Sequence, residues 1–227
     1  MKTKAQKVLE EYMLFNIRKT DMSSEKTTMS THLYGTMVIA LAMDSEFKLS
    51  NDFSDLLRNL QKINGLERIR ISSVEITELN DKFLDTLRSC DKIVNHIHIP
   101  LQAGSNHILK LMNRKYDTEY FINKINVIRS IRPDINITTD VIVGFPGETS
   151  EDFENTIDTI KKCGFTKLHV FPYSKREGTP AAKMKNQIDG NEKKKRVRRL
   201  LDLSKCLEID YMNKYLDTTV SFIPEVY

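Results

Sequence analysis

NITTDVIVGFPGETSEDFENTIDTIKKC, Asn136 to Cys163, is the stretch whose reading decides the fold class. Its opening, NITTDVIV, is rich in β-branched residues and reads as a strand. Gly144, Pro146 and Gly147 then break the run. From Ser150, after a Ser-Glu-Asp entry, Phe153, Ile157 and Ile160 fall at helical spacing, and Gly164 follows Cys163 where a helix is expected to stop. Strand, tight turn and helix in that order make a βα unit.

The same unit recurs outward in both directions. Strands are expected at Arg68 to Val74 (RIRISSV), Asn95 to Pro100 (NHIHIP) and Lys167 to Pro172 (KLHVFP), with the apolar run Met37 to Ala42 as a first strand. Helical patterns lie between them, at Ser54 to Ile63, Asp81 to Cys90 and Thr118 to Arg132, the last ending at Pro133. Asn191 to Tyr215 reads as a long helix opening on KKKRVRR, Lys193 to Arg199. Alternating elements of this kind build a parallel sheet of five or more strands, either a partial barrel or an open doubly wound sheet. Periodicity alone does not choose between the two. Thr20 to Thr31 is polar and rich in Ser and Thr, so a linker is expected there after a short amphipathic helix.

The 227 residues carry 40% hydrophobic and 29% charged side chains, the balance of an ordinary globular protein. No apolar run approaches the roughly 20 residues that span a bilayer, and the start lacks a signal-peptide h-region, so a cytoplasmic protein is expected. A net charge of +4 permits a polyanionic partner without requiring one. Cys90, Cys163 and Cys206 are far apart in the chain, with none of the close pairs that build local zinc or iron–sulfur motifs.

In parallel βα folds, ligands gather beyond the C-terminal ends of the strands. Four such ends are polar or rich in Gly and Pro: Ser72, Ser73 and Glu75; Pro100 to Asn106; Asp140 to Thr149; and Phe171 to Pro180. Gly144 and Gly147 would let backbone amides approach a flat ligand, with Glu148 at the entry of the next helix. A plain βα turn, with Glu148 favouring the helix dipole, is the competing account. Gln102 and Ser105 could hydrogen-bond a ligand, or Ser105 could simply cap a helix.

Taken together and in order, GLERIRISSVEITEL, HIHIPLQAGSNHILKLMNRKY, TTDVIVGFPGETSEDFENT and LHVFPYSKREGTPAAKM resemble the radical S-adenosylmethionine methylthiotransferases that act on tRNA. The resemblance covers roughly residues 50 to 224, and FPYSKREGTPAAKM is most similar to the branch that modifies threonylcarbamoyladenosine beside the anticodon. It implies an α/β fold, a partial, open TIM-like βα barrel over residues 36 to 216. Residues 1 to 35 match poorly, and residues 217 to 227 resemble the start of a small tRNA-binding β-barrel domain. The implied contacts for S-adenosylmethionine are Gln102, Ser105, Asp140, Gly144 and Glu148, with Tyr173 and Arg176 at the last strand's polar end. Arg114 matches the family's M-N-R-K-Y turn.

The family's CxxxCxxC loop, which binds a [4Fe–4S] cluster, is absent from the sequence. Reductive cleavage of a sulfonium needs an electron source beside it. The chain is therefore expected to be an inactive fragment of a tRNA methylthiotransferase, its open barrel edge suited to cover by another polypeptide. A noncatalytic module that binds tRNA or a nucleoside is the alternative. An ordinary doubly wound nucleotide-binding enzyme is disfavoured by the lack of a GxGxxG or GxxxxGK[ST] loop. Lys193, Lys194, Lys195, Arg196, Arg198 and Arg199 are the candidate cations for tRNA phosphate, on a helix docked by its leucines.

Overall fold

The computed structural model describes residues 53–220, so the expected first strand, the polar linker and most of the expected C-terminal β-domain lie outside the described residues. The described residues fall into two units. Helix α1, Phe53–Gln61, belongs to the first. The second, Asn64–Thr218, carries the rest: α2 (Asp81–Ser89), β1 (His96–His98), α3 (Asn106–Leu111), α4 (Thr118–Ile131), β2 (Asn136–Val143), α5 (Ser150–Cys163), β3 (Lys167–Pro172) and α6 (Gly190–Asn213). β2, β3 and α5 begin and end where the β-branched runs and the Gly164 stop place them.

Among the described residues the sheet is three-stranded and parallel, in the order β1-β2-β3. RIRISSV was expected to be a further strand and is not one. Ile69, Ile71 and Val74 are buried, so the alternation of a strand breaks after Ile71, and the segment meets β1's side only at two places. Ile69 pairs with Ile93, and Val74 N–H donates to His98 O. β1 itself ends at His98, and its ladder with β2 breaks after Ile99. The Thr139 hydroxyl fills the break, donating to Ile99 O and accepting from Leu101 N–H, each at 2.8 Å. Pairing resumes at Gln102, whose amide donates to Asp140 O while its carbonyl accepts from Ile142 N–H.

The register divides the sheet into two chemically different faces. Ile97, Ile137, Val141, Val143 and Leu168 point one way and are buried. His96, His98, Thr138, Asp140, His169 and Phe171 point the other way, and Phe171 is 50% exposed. Parallel strands covered on both faces read as continuous apolar runs. The alternation here is therefore that of a sheet whose helices cover one face and whose other face is a polar wall.

Two arginines of α4 hold the turns at the far end of the sheet. Arg132 donates to Leu87 O, Cys90 O and Ile93 O, satisfying carbonyls at the end of α2. Arg129 does the same for Cys163 O and Gly164 O at the end of α5. At the ligand end, Gly104 presses against α5: its N–H donates to Thr156 Oγ1 and its carbonyl accepts from Thr159 Oγ1. A Cβ on Gly104 would lie 2.6 Å from Thr156 Cα. Gly104→Ala should therefore destabilise the fold by about 1–3 kcal/mol through overpacking against backbone that cannot yield. Urea unfolding followed by circular dichroism measures this, and Gly190→Ala, where nothing lies within 4 Å, is the control.

Candidate functional site at the strand ends

The loop after β2 is shaped by Gly144 (φ 72°) and Gly147 (φ 91°), both in the left-handed region that side chains avoid. Gly144 N–H donates to Glu148 Oε2 at 2.6 Å, and Arg196 donates to the same oxygen at 2.6 Å. Arg196 also reaches Glu148 O at 3.1 Å and Glu192 Oε1 at 2.9 Å. Glu148 is 2% exposed and Arg196 4%. Burial pushes the Glu148 carboxyl pKa up, and the Arg196 guanidinium and the Gly144 amide oppose it. Glu148 is thus a tie between the β2 loop and α6, and its Oε2 is committed.

Gly144 was expected to bring backbone close to a ligand. What approaches it is Lys193, whose Cγ would lie 2.4 Å from a Cβ at this position. Lys193 Nζ donates to Tyr173 O at 3.1 Å and sits 5.3 Å from the Tyr173 ring centroid. Tyr173 packs edge-on against Phe145, and its amide donates to Val143 O. The structure therefore gathers Gly144, Glu148 and Tyr173 around one loop, together with Lys193 and Arg196.

The loop after β1 is held differently. Ser105 is buried, and its hydroxyl donates to Asp152 Oδ1 at 2.5 Å. Asp152 Oδ2 takes Thr149 N–H, Thr149 Oγ1 and His107 Nδ1 at 2.9, 2.7 and 3.0 Å. With Asp152 N–H returning to Thr149 Oγ1, this is a capping box at the start of α5. Burial pulls the Asp152 pKa upward, but Ser105, Thr149 and His107 outweigh it and lower it to about 2. Sequence reasoning placed Ser105 against a ligand or as a cap of α3; it makes no cap hydrogen bond there, and its hydroxyl goes to the start of α5. The signal was Thr149 three positions before Asp152, the spacing of a capping box.

Gln102 adopts a φ of 65° and meets Asp140 through the backbone bond at the break in the ladder. Asp140 lies on the polar wall, its Oδ1 3.3 Å from His98 Nε2 and its side chain 31% exposed. Arg176 sits on an exposed turn, where its carbonyl accepts from Thr179. Arg114 pairs with Glu75 at 3.3 Å. Of the six candidate cations on α6, Arg196 is buried, Lys193 is spent on Tyr173, and Arg199 is paired with Glu154 at 2.6 Å. Lys194, Lys195 and Arg198 are exposed. His96, His98 and His169, which composition and motif reading passed over, line the wall with Asp140.

The residues present can be tested against two groups. Tyr173 Oη and Glu148 Oε1 are buried without partners among the described residues, and Asp140 and Gln102 are partly open. Unpaired polar atoms beside an open wall fit a ligand that carries hydroxyl and amine groups. A [4Fe–4S] cluster is not fitted. Cys90 follows α2, Cys163 ends α5 and Cys206 lies on α6, and burial pushes the Cys163 thiol up to about 12. Among the described residues no set of His, Cys, Asp and Glu is arranged to hold a metal. No helix among them is long and apolar enough to cross a membrane.

Residues 34–160 match the model of the Radical SAM superfamily. The chain is 49% identical over 175 residues to a threonylcarbamoyladenosine tRNA methylthiotransferase of Bacillus subtilis, which covers 77% of this chain and 39% of that protein. It is 45% identical over 174 residues to a tRNA-2-methylthio-N(6)-dimethylallyladenosine synthase of Alkaliphilus oremlandii, over 77% of this chain and 37% of that one. The chain thus spans about two fifths of the length of these curated relatives. In structure it is similar to coproporphyrinogen III oxidase of Escherichia coli, a radical SAM enzyme, at a TM-score of 0.55 and 23% identity over 68% of this chain and 36% of that one. That likeness supports the barrel fold: the three strands are part of a TIM-like βα barrel, and the polar wall is its inner face.

Glu148→Ala should cost about 3–5 kcal/mol, because it leaves the Arg196 charge buried with Glu192 alone. Arg199→Ala, which breaks an exposed pair, should be indistinguishable from wild type. Asp152 predicts an acid limit. Its folded pKa lies below the unfolded value, so its stabilisation is complete above about pH 4 and is lost as pH falls towards 2. Thermal melts between pH 5 and 2 should show Asp152→Asn losing less stability across that window than wild type.

Proposed function

We propose, because this chain belongs to the Radical SAM superfamily and within it to the tRNA methylthiotransferases, that it forms the nucleoside-binding part of the barrel of an enzyme that methylthiolates threonylcarbamoyladenosine in tRNA. Residues 36 to 216 would be the barrel part, and residues 217 to 227 would lead into a tRNA-binding domain. The observation that carries this reading is the polar inner wall at the strand ends, where Gln102, Asp140 and Tyr173 converge beside the Gly144–Glu148 loop. The branch rests on likeness to the Bacillus subtilis enzyme and on the FPYSKREGTPAAKM run. The compartment this function implies is the one that holds tRNA, the cytoplasm.

S-adenosylmethionine supplies a sulfonium for reductive cleavage in this superfamily, with a [4Fe–4S] cluster as electron source. On this chain Gln102, Asp140 and Tyr173 would face its adenosine, with Arg176 on the adjoining turn. Ser105 and Glu148 act one step back, holding the two loops. Arrangement of the cysteines on three separate elements favours a second reading: this polypeptide binds nucleoside and tRNA without cleaving the cofactor, its cluster thiolates coming from another chain or being dispensed with.

Calorimetry with S-adenosylmethionine should give weak binding, above micromolar, since only adenosine contacts are available. Asp140→Ala should weaken it about tenfold, or about 1.4 kcal/mol. Submicromolar affinity, or indifference to Asp140, would contradict the assigned wall. For tRNA, filter binding across a salt series should show log affinity falling with log salt by roughly 0.7–0.9 per phosphate neutralised. Replacing Lys194, Lys195 and Arg198 by alanine should flatten that slope, while equal slopes would leave these cations as a solvated face.

A further inference from the structure

Four side chains on the inner wall join in one hydrogen-bonded row. His96 Nε2 lies 3.3 Å from Thr138 Oγ1, Thr138 Oγ1 lies 2.9 Å from His98 Nδ1, and His98 Nε2 lies 3.3 Å from Asp140 Oδ1. Parallel pairing puts them there: His96, His98, Thr138 and Asp140 alternate onto the same face, and His98 sits directly across from Thr138. The row runs up the sheet, from the N-terminal end of β1 towards the strand ends where the ligand wall opens.

The donors and acceptors in this row can be oriented in one way. A carboxylate only accepts, so the contact is a hydrogen bond donated by His98 Nε2–H to Asp140 Oδ1. Burial lowers the His98 pKa and holds His96 at about 4, with Arg70 adding to the latter, so both rings are neutral at pH 7. A neutral His98 that donates from Nε2 has a bare Nδ1, which accepts from the Thr138 hydroxyl. With its single hydrogen spent, Thr138 Oγ1 accepts from His96 Nε2–H. His96 Nδ1 is then bare, and it is the buried atom left without a partner. That outcome is the cheap one, because a lone pair rather than an N–H is left unpaired. The charged and titratable groups facing the row are Arg70 and His169, whose ring centroid lies 5.5 Å from that of His98.

We propose that His96, Thr138, His98 and Asp140 form a polarised hydrogen-bond wire in which Thr138 and His98 are positioning residues for Asp140. The wire fixes Asp140 Oδ1 as an acceptor from His98 and leaves Oδ2 free of protein partners among the described residues. The Asp140 side chain is 31% exposed, so a second acceptor is within reach of a ligand. The ligand group seated there is therefore an N–H or O–H donor and not an anion. That half of the proposal rests on the nucleoside-binding reading above; the wire itself does not.

Long-range proton–nitrogen correlation spectra of the full chain, labelled at histidine nitrogen, test the wire without any ligand. At pH 7 both His96 and His98 should be single Nε2–H tautomers. Asp140→Ala should split both rings into tautomer mixtures, the effect on His96 passing through two intervening side chains. Asp140→Asn keeps an acceptor and should restore the single tautomers. In a Thr138→Val background His96 should no longer respond to Asp140→Ala. An Nδ1–H tautomer of His98 in the wild type, or a His96 signal indifferent to Asp140→Ala, would overturn the wire. If Asp140→Ala does not fold, Thr138→Val decides alone: His96 must lose its single tautomer while His98 keeps Nε2–H through Asp140. For the ligand half, adenosine should move the Asp140 carboxyl carbon resonance and inorganic phosphate should not. A shift with phosphate, or none with adenosine, would overturn the donor assignment while the tautomers still judge the wire.

Discussion

The Glu148 carboxylate is the point on which the ligand end of this barrel turns. It is buried, and one of its oxygens collects both the Gly144 amide of the β2 loop and the Arg196 guanidinium of α6. Two charges taken out of water repay their desolvation only when geometry and further hydrogen bonds are good. Here Arg196 also takes Glu192 and the Glu148 carbonyl, so its donors are used rather than stranded. The consequence is positional. The Gly144 loop, the start of α6 and, through Lys193, the end of β3 at Tyr173 cannot move independently.

A second anchor, built from the same chemistry, fixes the neighbouring loop. Asp152 closes the cap of α5 and at the same time receives Ser105 and His107, so the helix start and the β1 loop are set by one carboxylate. Gly104 completes the contact by admitting Thr156 and Thr159 to its backbone. With both loops held from behind, the groups that remain open at the strand ends are those of the inner wall. Open and loop-holding positions thus lie close together in sequence: Gln102 is partly exposed and Ser105 buried in one loop, Asp140 partly exposed and Glu148 buried across the other.

Much of this fold was legible because its strands and helices announce themselves locally. β2, β3 and α5 were bounded by β-branched runs and by Gly164, signals that need no tertiary knowledge. RIRISSV failed as a strand because pairing is a property of two segments, and it meets its neighbour only at Ile69 and at Val74. The site was legible in position and less so in role. Gly144 and Glu148 were rightly found at a strand end, but a glycine that admits a ligand and one that admits a lysine stem look alike in sequence. The basic helix shows the same limit. KKKRVRR gives charge and spacing, whereas the burial of Arg196 depends on Glu148, 48 positions away. The histidines of HIHIP carried no motif, and only the register with β2 makes them a row.

Among the described residues, the hydrogen bonds that hold the loops around the wall are made by backbone, hydroxyl, carboxylate and guanidinium groups. Glu148 with Arg196, Asp152 with Ser105, and Thr139 bridging the gap after β1 are satisfied by groups lying between Ile99 and Arg196. A polar wall of this kind is set by backbone register and buried carboxylates, whereas cluster binding is set by thiolates on one loop. The two requirements are physically separable.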